Sequence, residues 1–313
     1  MQTIVLLNAG AGTLKAAQDQ PLDDVIREHL AVAGIEAEIR MVRGPDLEAA
    51  AQAAARSQVD VVIVGGGDGT LSTVAGVLAG TSMPLGVLPL GTLNHFAKDL
   101  GIPLDLAEAI GVIAAANIGS VDVGQVNDRV FINNSSLGLY PLMVLDRDAQ
   151  QTRHGSSKWT AMLFAMLKVF RLFPLVTVRL TTDTQSVIRK TPLVFVGNNC
   201  YQLDLFNIGT RASLNKGELS LYVAHAQTRW GLLKLTVRAL LGWLEQSRDF
   251  ETFCLSSCRI ETRRRRMHVA VDGEVIQLQP PLEYKVRAAT LRVCLPQTPE
   301  GPTANAAIEP SRE

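Results

Sequence analysis

The chain has 313 residues, with 30 basic against 30 acidic side chains, 47% hydrophobic residues and 19% charged ones. That length suits about two domains of ~100–200 residues, and the apolar content suits packed cores rather than a disordered chain. A formal net charge of zero argues against a dedicated nucleic-acid binder, whose domains run basic.

The chain opens on MQTIVLLNAGAG, which lacks the basic start of a signal peptide and reads as a buried first strand over 3–8. That strand ends at Gly10 and Gly12. Leu22, Val25, Ile26, Leu30 and Val32 then recur at helical spacing. A second strand over 36–42 leads through Arg43-Gly-Pro-Asp46 to an alanine-rich helix over 47–56. Residues 59–64, VDVVIV, form a third strand that runs into Gly65-Gly-Gly-Asp-Gly69 and Thr70, and a helical stretch follows. A fourth strand over 85–89 ends at Gly91-Thr92 and again feeds a helix. Strands alternating with helices imply parallel βαβ units, whose ligands sit beyond the carboxyl ends of the strands, where these glycine turns fall.

From about Ser120 the texture changes. Short β-rich runs recur at 121–126, 130–133, 176–181, 193–196, 219–224, 259–262, 269–271 and 291–295, joined by polar turns, and they predict an antiparallel sandwich or barrel. The expected fold is an α/β nucleotide-binding domain with a parallel sheet over 1–123, a β-rich, antiparallel sandwich-like domain over 124–296, and a disordered tail over 297–313. No apolar stretch reaches ~18 residues without a charge, so no spanning helix is expected. Two apolar-basic segments, 159–173 and 230–244, show broad helical faces. Trp159, Met162, Leu163, Met166, Leu167 and Phe170 make one; Trp230, Leu233, Val237, Leu240, Leu241 and Leu244 make the other. Interfacial helices have this pattern, but core burial is the preferred reading. Arg263, Arg264, Arg265 and Arg266 read as a strand with alternating faces, two arginines toward phosphates and two toward an anionic membrane, or as a solvated edge. Cys200, Cys254, Cys258 and Cys294 form no CxxC pair and have no histidines at ligand spacing, so they are expected as reduced core residues.

Chemistry concentrates in the glycine turns. Asn8-Ala9-Gly10-Ala11-Gly12 follows the first strand and Gly65 to Thr70 follows the third. Glycines there let backbone N–H groups approach a phosphate, with a helix amino end aimed at the anion. A tight β–α turn needs one or two glycines for positive φ; four in five positions around an aspartate exceed that need. The turn is neither a Walker A loop, since no Gly-Lys-Ser/Thr follows, nor GxGxxG. Asp68 reads either as a helix cap or as a group orienting magnesium and phosphate, and its neighbours favour the second. Asp272-Gly273-Glu274 reads on its own as a hairpin turn.

Taken together, Gly66-Gly67-Asp68-Gly69-Thr70 and, about twenty residues on, Pro89-Leu-Gly-Thr92-Leu-Asn-His-Phe-Ala-Lys98 resemble the catalytic-domain pattern of the diacylglycerol kinase family. The likeness is to its bacterial soluble lipid kinases, with sphingosine-kinase relatives. It extends to the Asn8 loop, Phe131-Ile-Asn133, Gly138, Gly197-Asn198 and Asp272-Gly-Glu274, and so covers about residues 1–295. The resemblance implies ATP-dependent phosphorylation of a lipid hydroxyl, diacylglycerol by default, in a cleft between the two domains, with ATP and Mg2+ as cofactors. By that likeness Asn8, Ala9, Gly10, Ala11, Gly12, Gly66, Gly67, Asp68, Gly69, Thr70 and Thr92 line the nucleotide phosphates. Glu274 matches the proton acceptor with Asp272 beside it, and Asp68 stands near the catalytic magnesium. The implied setting is cytoplasmic, with a lipid substrate met at the inner membrane face and no nucleic acid; a homodimer is left open. Two positions depart from the family. His95 stands where an acid usually follows the asparagine. Lys216 stands at or next to an aspartate that holds a structural magnesium in some bacterial members, which argues against that second metal site here. A kinase of a soluble acceptor, as in the NAD kinases with their GGDGT-type loop, and a non-catalytic nucleotide- or lipid-binding regulator are the alternatives; the presence of Asp68, Asp272 and Glu274 speaks against the regulator.

Overall fold

Ile4, Val5, Leu6 and Leu7 are all buried, so the strand they form, β1 (Gln2–Asn8), has no solvent face. A central parallel strand covered by helices on both sides requires this. In the computed structural model, which describes residues 1–9, 21–139, 141, 175–182, 185–204, 207–211, 213–226, 228–240 and 249–297, β1 pairs in parallel with β2 (Glu36–Val42) and β3 (Val61–Gly66). β3 in turn pairs in parallel with β4 (Leu85–Pro89). The order β2-β1-β3-β4 means that the chain leaves β1 toward both edges. The switch point of the sheet therefore lies between β1 and β3, whose carboxyl ends carry Asn8 and Gly66. Three helices connect these strands, α1 (Leu22–Val32), α2 (Leu47–Ala55) and α3 (Asp68–Leu78), and two more, α4 (His95–Asp99) and α5 (Leu106–Ala114), follow β4. In α1 the buried residues are Ile26 and Leu30, while Val32, the last residue of the helix, is 84% exposed.

The second half is built from β5 (Ile118–Val126), β6 (Arg129–Phe131), β7 (Asn134–Gly138), β8 (Val176–Thr181), β9 (Ser186–Thr191), β10 (Leu193–Asn198), β11 (Tyr201–Asp204), β12 (Asn207–Arg211), β13 (Leu219–Ala224), α6 (Arg229–Leu240), β14 (Phe250–Leu255), β15 (Ser257–Thr262), β16 (Met267–Val271), β17 (Glu274–Leu278) and β18 (Leu282–Cys294). One antiparallel sheet runs β14-β13-β10-β7-β16-β17. Facing it, β5, β6, β18, β15, β8 and β9 continue the parallel sheet, because β18 pairs with β5 and β15 and also, at Val293 beside Leu85, with β4. The two layers share one core, to which Leu137, Val196, Leu221 and Val269 come from one sheet and Val126, Val178, Ile260 and Tyr284 from the other. A separate core fills the α/β half. The expected architecture, an α/β unit followed by an antiparallel sandwich, is the one observed.

Four expectations need correction or lie elsewhere. Arg263, Arg264, Arg265 and Arg266 are not in a strand; they form the exposed loop between β15 and β16. No alternation of faces applies to them, since four adjacent guanidinium groups have no buried partners to pair with. On α6, Trp230 is 72% exposed, Val237 37% exposed and Leu233 half-buried, while Leu232, off the stripe, is buried among the described side chains. Trp230 and Val237 are therefore not the core positions expected; Leu240, Leu241 and Leu244 lie outside the described side chains. Among the cysteines only Cys258 and Cys294 are buried; Cys200 is half-buried and Cys254 exposed. Gly10, Ala11, Gly12, the segment 159–173 and the tail from 298 lie outside the described residues. Among the described residues, no helix is long and apolar enough to cross a membrane.

Candidate active site

The two glycine turns meet backbone to backbone. A methyl group placed on Gly91 would collide with the Cα of Gly67, and one on Gly66 would lie 2.7 Å from the Thr70 side chain. None of Gly66, Gly67, Gly69 and Gly91 has a positive φ, so these glycines serve close approach, not the left-handed backbone that a tight turn would need. Asn94, which does sit at φ 52°, stitches the second turn together: its Oδ1 accepts from Gly91 N–H at 2.9 Å, and its amide donates to the carbonyls of Pro89 and Gly91. Asn8, at the end of β1, donates from Nδ2 to Thr70 Oγ1 at 2.8 Å and ties that strand end to the first of these turns. The residue capping α3 is Gly67, which offers no side-chain acceptor. The first-turn N–H groups are left for an anion, and the helix dipole points the same way.

Asp68 reaches across to α4. Its carboxylate accepts from the backbone N–H groups of His95 at 3.2 Å and Phe96 at 3.1 Å, one on each oxygen. It therefore caps a helix, though a neighbour's and not its own, and each oxygen retains a second lone-pair direction. That donor set fits magnesium, which takes hard oxygen ligands and is usually held by one or two carboxylates together with substrate phosphates.

Opposite these turns, β16 and β17 form a hairpin whose two central residues, Asp272 and Gly273, have φ of 46° and 86°. Positive φ at both positions is the mark of the tight primed turns that Asp-Gly favours. The Asp272 carboxylate is buried and saturated: it accepts from Ser72 Oγ on α3 and from the N–H groups of Ile132, Asn133 and Asn134, at 2.5–2.9 Å. Burial pushes this carboxyl above the usual range, and those four donors work in the opposite direction. Glu274, two residues on, is exposed and accepts no hydrogen bond from the described residues. A cleft of about 1240 Å3 joins the two sides, lined by Gly67, Gly69, Thr70 and Thr92 on one and by Asp272, Gly273 and Glu274 on the other.

The geometry coincides with two family models that together span most of the chain. Residues 2–126 match the diacylglycerol kinase catalytic domain, and residues 144–295 match the YegS C-terminal NAD kinase beta sandwich-like domain. The chain thus joins a diacylglycerol kinase catalytic domain over residues 2–126 to a YegS-type C-terminal domain over residues 144–295. Among named relatives, the probable lipid kinase YegS-like of Citrobacter koseri is 39% identical over 129 residues, 40% of this chain and 43% of that protein. The probable lipid kinase YegS of Salmonella newport is 30% identical over 165 residues, 51% of this chain and 55% of that protein. The chain thus matches about half the length, or less, of these curated relatives. The fold recurs in two Bacillus anthracis str. Sterne structures: one has a TM-score of 0.70 at 24% identity, and the other, titled as a diacylglycerol kinase, 0.66 at 21%. Each match covers 94% of this chain and 97% of the other.

In this chain His95 contributes its backbone N–H to Asp68, so histidine in place of the expected acid leaves the Asp68 contact intact. Lys216 is exposed, and its backbone N–H donates to Asn199 Oδ1. The neighbouring N–H of Gly217 donates to the buried carboxylate of Asp122 at 2.6 Å, which also accepts from Ala289 N–H. Several residues of the site escaped the sequence reading. Ser72 lies one helical turn beyond Asp68, a spacing that could have flagged it. Arg56 and Arg129 line the cleft; a cation at the start of the strand that ends in Phe131 was the available signal for Arg129. Arg211 is the least legible. Its side chain is fully buried against Asp99 of α4, with Nη2–Oδ2 at 2.7 Å, and it also donates to the carbonyls of Ile132 and Asn198 and to Asn133 Oδ1. Residues 132–134 thus sit between two buried charges, Arg211 on the side of α4 and Asp272 on the side of α3.

Proposed function

We propose that this chain is an ATP-dependent lipid kinase that transfers the γ-phosphoryl group of ATP to a lipid hydroxyl, diacylglycerol or a similar acceptor. The observation that supports this reading is the single cleft shared by the uncapped amino end of α3 and the free carboxylate of Glu274. Phosphoryl transfer is largely positioning plus charge stabilisation, and the parts divide accordingly. Backbone N–H groups at Gly69 and Thr70 cradle phosphate, and Thr92 and the Gly67–Gly91 contact set the floor on which it rests. Asp68 would hold the magnesium that accompanies the nucleotide and neutralises its charge. Arg129 lies on the acceptor side of the same cleft and supplies positive charge there. Glu274 takes the proton of the attacking hydroxyl; Asp272, with every acceptor position filled, positions the turn that carries it.

The lipid acceptor is supported by the exposed outer face of α6 and the exposed arginine loop, both suited to an anionic membrane surface. The test is to incubate purified protein with labelled ATP, magnesium and a panel of lipid extracts, and to resolve the labelled product. A phosphorylated lipid is expected, with kcat lowered about 10²-fold or more in Glu274→Gln and ATP affinity little changed. Label found only on a soluble acceptor, or undiminished turnover in Glu274→Gln, overturns the reading.

A further inference from the structure

Away from the cleft, two thiols and a carboxylate converge at the amino end of β13. That strand lies between β10 and β14, with Asn198 of β10 beside Leu219 and Cys254 of β14 beside Ser220. The chain leaving β10 bridges to Leu219 at Asn199, which brings the next residue, Cys200, to Cys254. Their sulfurs are 2.8 Å apart, and Cys200 Sγ donates to Glu218 Oε2 at 3.5 Å. The three ligand atoms form a compact cluster. Two thiolates on one tetrahedral zinc stand about 3.8 Å apart, from Zn–S bonds of about 2.3 Å, so this pair is too close for a shared metal and lies on the approach to a disulfide.

We propose that Cys200 and Cys254 form a peroxide-responsive dithiol, in which Cys254 is the attacking thiol, Cys200 the resolving thiol and Glu218 the proton acceptor for Cys200. Cys254 is exposed, whereas Cys200 is half-buried; burial, with Cys254 and Glu218 beside it, pushes the Cys200 thiol well above the usual range. A hydroperoxide therefore meets Cys254 first, the more accessible of the two thiols. The sulfur attacks one peroxide oxygen, the O–O bond breaks, and hydroxide leaves as water after taking a proton, which gives the Cys254 sulfenic acid. Cys200 then attacks that sulfur, its proton passes by way of Glu218 to the departing sulfenic hydroxyl, and the hydroxyl leaves as water. The balance is two thiols and one hydrogen peroxide to one disulfide and two waters. The bond ties β14 to the base of the β11–β12 hairpin, where Arg211, paired with Tyr201, holds Asp99.

The test uses the full chain, fully reduced, treated with hydrogen peroxide, quenched with catalase, alkylated and digested without reductant. Of the four thiols, two should disappear, and a single linked peptide pair should join positions 200 and 254 and be released by dithiothreitol. Cys200→Ser should stop at a dimedone-trapped sulfenic acid on Cys254, and Cys254→Ser should give neither link nor adduct at Cys200. Glu218→Gln should leave the rate of sulfenic acid formation unchanged and slow disulfide formation about tenfold or more. Retention of all four thiols, a link through Cys258 or Cys294, or a first adduct on Cys200 overturns the proposal. So does a zinc ion retained through gel filtration by the reduced chain and lost in Cys254→Ser, and equal disulfide rates in Glu218→Gln overturn the role of Glu218. All of these are read from thiols and peptides, so they stand or fall independently of the kinase reading.

Discussion

Asp272→Asn separates a positioning carboxylate from a reacting one. Asparagine adopts positive φ as readily as aspartate, so the turn is undisturbed and only the oxygen chemistry changes. With the amide oxygen kept where it accepts from Asn133 and Asn134, the new NH2 group replaces the oxygen that accepts from Ser72 Oγ and Ile132 N–H. The Ser72 hydroxyl can rotate and accept, but the Ile132 N–H then faces another donor. A buried donor without a partner costs about 1–3 kcal/mol, and the two surviving bonds each lose about 1 kcal/mol of charge assistance. Removing a charge from a buried site returns part of this, so the expected net loss is about 2–4 kcal/mol, or roughly 3–6 °C in Tm for a chain of this size. Glu274→Gln, exposed and without partners, should shift stability by less than about 0.5 kcal/mol. Urea unfolding followed by circular dichroism measures both variants. Matching midpoints for Asp272→Asn and the parent would refute the claim that Asp272 works as a connector, and a destabilised Glu274→Gln would refute its assignment as the free carboxylate.

Gly91→Ala should reduce ATP binding at least tenfold by isothermal titration while the fold survives, because its methyl group can be housed only by moving the Gly67 backbone; unchanged affinity would show that the Gly67–Gly91 contact does not shape the phosphate floor. Replacing Arg263, Arg264, Arg265 and Arg266 by glutamine should weaken sedimentation with anionic vesicles, most strongly at low salt where screening is weak, and should leave Tm and turnover of a short-chain micellar acceptor unchanged. Equal losses on vesicles and micelles would place those arginines in the reaction itself.

The α/β half was legible because β1, β3 and β4 are apolar on both faces and its turns are glycines; β2, a half-exposed edge strand, and β4 fall where the pattern put them. In the sandwich, β7 was missed because it reads Asn-Ser-Ser-Leu-Gly, yet Ser135 and Ser136 are fully buried. Ser135 is satisfied there by the Tyr284 hydroxyl at 3.0 Å, a partner 149 residues away that no local pattern reveals. β14 and β17 escaped for a related reason: both are edge strands, so neither needs a continuous apolar run. Of the site, the glycine turns, Asp68 and Glu274 were marked by motif. The reason for the glycines was not, because whether a glycine serves a positive φ or a close approach depends on a second loop's position. Arg211 and Ser72 carry no motif; they matter through charges that only the folded chain brings near them.

β18 carries a consequence for how the protein is made. Val293, near its end, sits beside Leu85 in the parallel sheet, and its earlier residues pair with β5 and β15. The nucleotide-binding half therefore cannot complete its sheet on the ribosome when its own 126 or so residues have emerged; it must wait for a strand translated some 160 residues later. Until then the outer edge of β4 is an unpaired, apolar edge, the kind that recruits other chains. The first half and the last strand should accordingly gain amide protection together in pulse-labelled refolding, as one cooperative unit.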